Sequence, residues 1–285
     1  MTARNLRGAG RPALDACIDR IVATAIEAAR RAGEIQLRHF RNPGRMRADC
    51  TLHDVKLETD RLCEAAVVAA IRERFADHAI LSEEGGGQSG SGAFTWIVDP
   101  LDGTVNFWHG LPFFCVSIAC YSAPSRWPEG PDAAAAMGGK PLVGVVLLPY
   151  SGELFAGIEG RGAFLNDCPI RVNSSVAPRD MVVTVSFGKK REAMRRMTRR
   201  LDVLLPQVCK ARCLGAAAAE LAYCASGFLG GVFYEGLNPW DFAAGKIILE
   251  QAGGFFRAVE NEAQRWQVYG GAPALQDPFR ALAAC

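Results

Sequence analysis

The stretch Trp96-Ile97-Val98-Asp99-Pro100-Leu101-Asp102-Gly103-Thr104-Val105-Asn106-Phe107 holds the most structural information in this chain. Its apolar start predicts a buried strand that stops on Asp99. Pro100 biases Asp99 towards extended geometry and fixes its own φ. Pro100-Leu101-Asp102-Gly103 is turn chemistry, with Gly103 free to take a positive φ. Two carboxylates three residues apart across a tight turn can converge on one point. The amides of Gly103 and Thr104, at a helix start, would then face an anion.

Two further stretches place acids at the ends of elements. In Asn238-Pro239-Trp240-Asp241-Phe242-Ala243-Ala244-Gly245, Asn238 suits an N-cap and Pro239 the first helical position. Asp241 then falls in the first turn, where the helix dipole favours a carboxylate. Capping alone would account for it without any metal. In Ile80-Leu81-Ser82-Glu83-Glu84, adjacent carboxylates end an apolar run. They repel unless water or a cation neutralises them.

Working outward, apolar residues at 14, 18, 21, 22, 25, 29 and 32 give helical spacing from Leu14 to Phe40. Residues 41–53, with Pro43 and Gly44, read as a loop. A second helix is expected from Thr59 to Phe75, burying Leu62, Ala66, Ala69, Ala70 and Ile71. Residues 85–92 hold five glycines, with neither the Lys-Ser/Thr ending of a P-loop nor a following helix, and read as a flexible linker. Strands are expected at 79–81, 94–98, 114–121, 142–148, 181–187, 208–213 and 231–234. A glycine-punctuated hairpin is expected over 153–164, and closing strands over 254–269. Helices are expected at 189–205, 216–226 and 239–251. Helices and strands alternate without a strict βαβ rhythm, which places the fold as a layered α/β to α+β sandwich. Residues 1–13 are expected to form a flexible tail. Residues 14–285 would form one domain, with halves of about 14–175 and 176–285.

Composition sets limits. A net charge of +2 over 285 residues gives no ground for a nucleic-acid or membrane surface. No run of about 20 apolar residues could span a bilayer, and residues 1–12 lack the apolar core of a secretory signal. The ten cysteines include no Cys-x-x-Cys and no zinc-ligand spacing with histidine. They read as reduced thiols in a cytoplasmic protein. The basic run from Lys189 to Arg200 reads as a solvated helix face, with RNA or another polyanion as the alternative contact.

Together, Ser82-Glu83-Glu84, the Asp99-Pro100-Leu101-Asp102-Gly103-Thr104 motif with Asn106-Phe107, and Pro239-Trp240-Asp241-Phe242-Ala243-Ala244-Gly245 resemble the inositol monophosphatase family. That family shares a metal-dependent phosphatase fold with fructose-1,6-bisphosphatase. Weaker matches are Asp54-Val55 with Asp60, and Gly144-Val145-Val146 running to Pro149. The resemblance covers about residues 15–280 and implies two or three Mg²⁺ ions. Glu83, Asp99 and the Leu101 carbonyl would hold one; Asp99, Asp102 and Asp241 would hold a second. Glu83 and Thr104 would orient the attacking water, and the Gly103 and Thr104 amides would bind phosphate. Asp60 would stand behind the metals. Gly215, Ala217, Glu235 and Asp241 would contact the substrate. The resemblance further implies a small phosphorylated substrate, lithium sensitivity and a homodimer, with no membrane or nucleic-acid partner.

The match departs from the family in places. Glu235 stands six residues before Asp241 where relatives commonly have seven. A serine often found beside Gly215 is missing, and Gly230 replaces a common Asp. Val105-Asn106-Phe107 follows the inositol-type pattern rather than that of bisphosphate nucleotidases. Fructose 1,6-bisphosphate, a 3′-phosphoadenosine nucleotide and histidinol phosphate remain alternative substrates. His109 is expected to serve structure rather than proton donation.

Overall fold

The computed structural model describes residues 12–42, 48–51, 54–122, 138–188, 191–260 and 265–284. The expectations for residues 1–11, for the proline-bearing segment 123–137, and for Lys189 and Lys190 lie outside them.

Among the described residues, ten strands precede residue 175. β1 (Ala48–Thr51) and β2 (Asp54–Leu57) pair as an antiparallel hairpin. Within the span 41–53 expected as a loop, this corrects residues 48–51: strands of four residues are too short to show alternation. β3 (Ala79–Ser82), β4 (Gly86–Gln88), β5 (Phe94–Asp102), β6 (Cys115–Ser122), β7 (Pro141–Leu148), β8 (Glu153–Ile158), β9 (Gly162–Leu165) and β10 (Cys168–Ile170) form one sheet. Its order is β10-β9-β8-β7-β6-β5-β3-β4, with only β3 and β5 parallel. β4 overturns the reading of residues 85–92 as a linker. Gly86 pairs with Ser82, and Gly90 and Gly92 lie so close to residues 77–79 that a Cβ would collide with them. The glycines are there for close approach.

A second sheet has the order β12-β11-β13-β15-β14, from β11 (Val182–Val185), β12 (Lys210–Arg212), β13 (Gly231–Leu237), β14 (Phe255–Glu260) and β15 (Trp266–Gly271). β11 runs parallel to both its neighbours.

Alternating side chains on the central strands divide the core. Trp96, Val98, Val116, Ile118, Cys120 and Val145 point to one face, where α1 (Pro12–His39) and α2 (Glu58–Arg72) cover them. Ile97, Ala119, Tyr121 and Val146 point to the other, onto α5 (Ala217–Ala225) and α6 (Pro239–Gln251). Those two helices also pack against Val232, Phe256 and Val268 of the second sheet. Beyond it lie Met197 and Leu204 of α4 (Arg191–Leu204) and Phe279 and Leu282 of α7 (Gln276–Ala283). The result is a helix–sheet–helix–sheet–helix stack, the layered sandwich expected. α2 buries Cys63, Val67, Ala70 and Ile71; Leu62 and Ala69 are exposed, against expectation, so its stripe is rotated by about one residue.

Candidate active site

The stack leaves a cleft of about 380 Å³ where the ends of β3 and β5, the start of α6 and the end of β13 meet. Glu83, Asp99, Leu101, Asp102, Gly103, Thr104, Gly215, Ala217, Glu235 and Asp241 all line it. Asp60 does not. It is buried at the start of α2, where its Oδ2 accepts the Leu57 N–H at 2.8 Å.

Each acid is placed by its backbone. Asp99 ends the apolar part of β5 and its Oδ1 accepts the Leu101 N–H at 3.0 Å, closing the turn at Pro100. Asp102 Oδ2 accepts the Ala218 N–H of α5 at 2.7 Å and lies 3.5 Å from the Cys115 thiol. Asp241 Oδ2 accepts the Asn238 N–H at 2.7 Å, so the capping role read from sequence and the place in the cleft coexist. Glu83 follows β3; the Ser82 hydroxyl and the Gly85 N–H both bond Glu64 Oε1 on α2, which pins that turn.

Gly103 has φ +87, and a Cβ there would meet Phe113, Phe114 and Ala216 at 3.0 to 3.2 Å. The turn therefore needs glycine for both its conformation and its closeness. α3 (Thr104–Trp108) follows directly. The Thr104 hydroxyl donates to the Leu101 carbonyl at 2.9 Å. Asn106 Nδ2 bonds the carbonyls of Phe113 at 2.8 Å and Leu214 at 2.6 Å, tying the motif to the entry of α5. His109 is exposed at the end of α3, outside the lining residues.

Electrostatically the cleft is strained. Burial holds Asp99 well above the usual carboxylate range, and the charges of Glu83, Asp102 and Asp241 push it further. Asp102 is pushed up to about 7, chiefly by burial, partly offset by the Ala218 amide and reinforced by Glu220 and Glu83. Carboxylates buried together with no cation resist ionising. A hard divalent cation, which takes oxygen ligands, suits this donor set and relieves the repulsion. Among the described residues, no three acidic, histidine or cysteine side chains stand close enough together to form a metal-binding group as they are placed, so the acids would have to draw in around a cation. One oxygen of each of the three aspartates is bonded to a backbone amide.

Sequence reasoning missed several lining residues: Ser186 to Gly188, Cys213, Glu220 and Arg265. Glu220 is fully buried; its Oε1 accepts the Gly215 N–H at 2.8 Å and the Ala216 N–H at 3.2 Å. An acid in the first turn of an alanine-rich helix was the available signal. Burial also raises its pKa. Cys17, Cys63, Cys115, Cys120, Cys168, Cys209, Cys213 and Cys224 are free thiols.

Residues 18–276 match the profile of the inositol monophosphatase family. The chain belongs to that family. An inositol monophosphatase 3 from Solanum lycopersicum is 36% identical over 253 residues, covering 84% of this chain and 85% of that protein. A Nus factor SuhB from Pasteurella multocida is 34% identical over 233 residues, covering 81% and 82%. The crystal structure of an extragenic suppressor protein suhB from Bartonella henselae superposes with a TM-score of 0.81 at 29% identity, covering 92% of this chain and 98% of that one. Inositol monophosphatases are phosphatases and are generally metal-dependent. No helix among the described residues is long and apolar enough to cross a membrane.

Proposed function

We propose that this family member is a Mg²⁺-dependent phosphatase that hydrolyses a small phosphate monoester, with myo-inositol monophosphate its best-supported substrate. The observation that carries the reading is the convergence of Glu83, Asp99, Asp102 and Asp241, from three separate stretches, on one cleft.

Glu83, Asp99, Asp102, Asp241 and the Leu101 carbonyl would hold two or three Mg²⁺ ions. When bound, the cations would neutralise phosphate charge and make water more acidic. The chain does the rest by positioning. The Thr104 hydroxyl spends its proton on the Leu101 carbonyl, so its oxygen is left to accept a hydrogen bond from the attacking water. Glu83, at the mouth, accepts the other. The Gly103 and Thr104 amides bind phosphate oxygens, and Gly215, Ala217 and Glu235 form the wall that meets the alcohol part of the substrate. Asp60, at the start of α2, acts at a distance by fixing that helix. The proposal includes lithium inhibition, a homodimer and a cytoplasmic location.

The test is Asp99→Asn. Its amide oxygen can still accept the Leu101 N–H, so the turn is kept while a ligand charge is lost. Turnover of inositol 1-phosphate should fall to background while circular dichroism is unchanged; undiminished turnover would refute the site. A phosphate-release panel with fructose 1,6-bisphosphate, 3′-phosphoadenosine nucleotide and histidinol phosphate ranks the alternatives.

A second reading is favoured by α4, where Arg191, Arg195 and Arg199 are exposed along one face and form no ion pair among the described residues. With relatives named Nus factor SuhB, this supports a regulatory contact with RNA or protein. Its signature is salt-sensitive RNA binding that survives Asp99→Asn.

A further inference from the structure

β13 carries Glu235 to the wall of the cleft, but strand geometry does not aim the side chain. The pairing of β13 with β15 shifts register between Tyr234 and Leu237, and such irregularities re-aim side chains. The aim comes from elsewhere. Glu235 and Arg200 of α4 are each only 4% exposed. Oε1 of Glu235 accepts from Arg200 Nη1 and, at 2.8 Å, from Gln267 Nε2. Among the described residues, Oε2 accepts only from Arg196 Nη2, at 3.3 Å. A carboxylate offers roughly four lone-pair positions. Three are taken, and the remaining one belongs to Oε2.

Arg200 is itself fixed. Its Nε donates to the Leu282 carbonyl at 2.8 Å and its Nη2 reaches the Ala283 carbonyl at 3.5 Å. Those carbonyls end α7, where unsatisfied C=O groups attract a cation. The guanidinium also lies over the Phe233 ring, 5.1 Å from its centroid. So α7 orients the fork of Arg200, and the fork orients Glu235. A lysine could supply the charge here but not the planar fork.

We infer that Arg200, anchored on the C-terminal helix, is a positioning residue that presents one oxygen of Glu235, Oε2, to a single hydroxyl of the substrate. This rests on the phosphatase reading above, with Glu235 touching the alcohol part of the substrate.

The experiment compares two substrates in the full-length protein with Mg²⁺: inositol 1-phosphate, which has ring hydroxyls, and p-nitrophenyl phosphate, which has none. Arg200→Lys should raise KM for inositol 1-phosphate about tenfold, the equivalent of one charge-assisted hydrogen bond at ~1.4 kcal/mol. Its kcat should change little, and KM for p-nitrophenyl phosphate should stay near the wild-type value. A loss shared equally by both substrates, or no change in either, overturns the inference, because a merely structural ion pair does not distinguish them. Should Arg200→Lys fail to fold, Gln267→Leu removes a single neutral donor from Oε1 and is read the same way: a selective rise in KM supports the inference, and a shared or absent one overturns it. Wild-type protein that hydrolyses p-nitrophenyl phosphate but no polyol phosphate overturns this inference and leaves the phosphatase reading standing. Hydrolysis of neither overturns both.

Discussion

His78 illustrates how a single residue couples packing to pH. It is 6% exposed, its ring stacks on Phe75 at 4.5 Å, and its Nδ1 accepts the indole N–H of Trp96 at 3.1 Å. Accepting that bond requires an unprotonated Nδ1. Burial accordingly lowers the pKa below its ordinary 6.5, with Arg72 and Arg20 acting in the same direction against Asp77. Below pH 6.5 the unfolded chain therefore binds a proton that the folded chain refuses. Stability contributed by His78 is full above that value and falls as the pH drops through it. His78→Asn keeps a neutral acceptor and removes the titration. Its urea midpoint should depend less steeply on pH than that of wild type between neutral pH and about pH 5; equal slopes would sink the argument. Such pairs are invisible in sequence, since nothing local to Asp77-His78-Ala79 announces Trp96. The same holds for Asn106, whose amide reaches Leu214, 108 positions away.

Among the elements, α6 was legible in full, from Pro239 to Gln251, because its start signal and apolar run agree. Its closeness to the large sheet was not. A Cβ on Gly144 would stand 2.5 Å from the Ala244 carbonyl oxygen, and one on Gly157 would stand 2.6 Å from Ile248 Cα. These glycines let helix and sheet approach backbone to backbone, whereas the sequence offered them only as weak resemblance or hairpin punctuation. α7 went unread because Gln276–Ala283 is short and contains Pro278, and its place is set by Phe279 and Leu282 packing under the second sheet. Tertiary contact decided it. Gly157→Ala tests the close approach. The added methyl forces α6 away at a cost of about 1–3 kcal/mol. Because α6 carries Asp241, kcat should fall along with the melting temperature. A variant as stable and active as wild type would show that the helix has room to spare.

At the scale of the whole molecule, the cleft belongs to no single layer. Asp99 and Asp102 come from β5, Asp241 from the helical layer between the sheets, and Glu235 from the second sheet. Motif chemistry made the three acidic stretches readable, but periodicity and spacing could not say that they meet; only the family resemblance implied it. Their meeting has an energetic consequence. In the metal-free fold, Asp99 is a buried acid among three others that raise its pKa, a source of instability retained for some other purpose. A cation that binds only the folded chain would offset it, by ~2.7 kcal/mol at a hundredfold excess over Kd. Wild-type protein should therefore melt at a higher temperature in Mg²⁺ than in chelator. Asp99→Asn should reverse the order of the two proteins. Without metal it should melt above wild type, because a repelled charge is gone and the bond to Leu101 is kept. With Mg²⁺ it should gain little. If Asp99 merely closed the turn at Pro100, the substitution would be neutral in chelator and Mg²⁺ would shift both proteins alike, so a pair of melting curves separates a ligand from a turn residue without reference to activity.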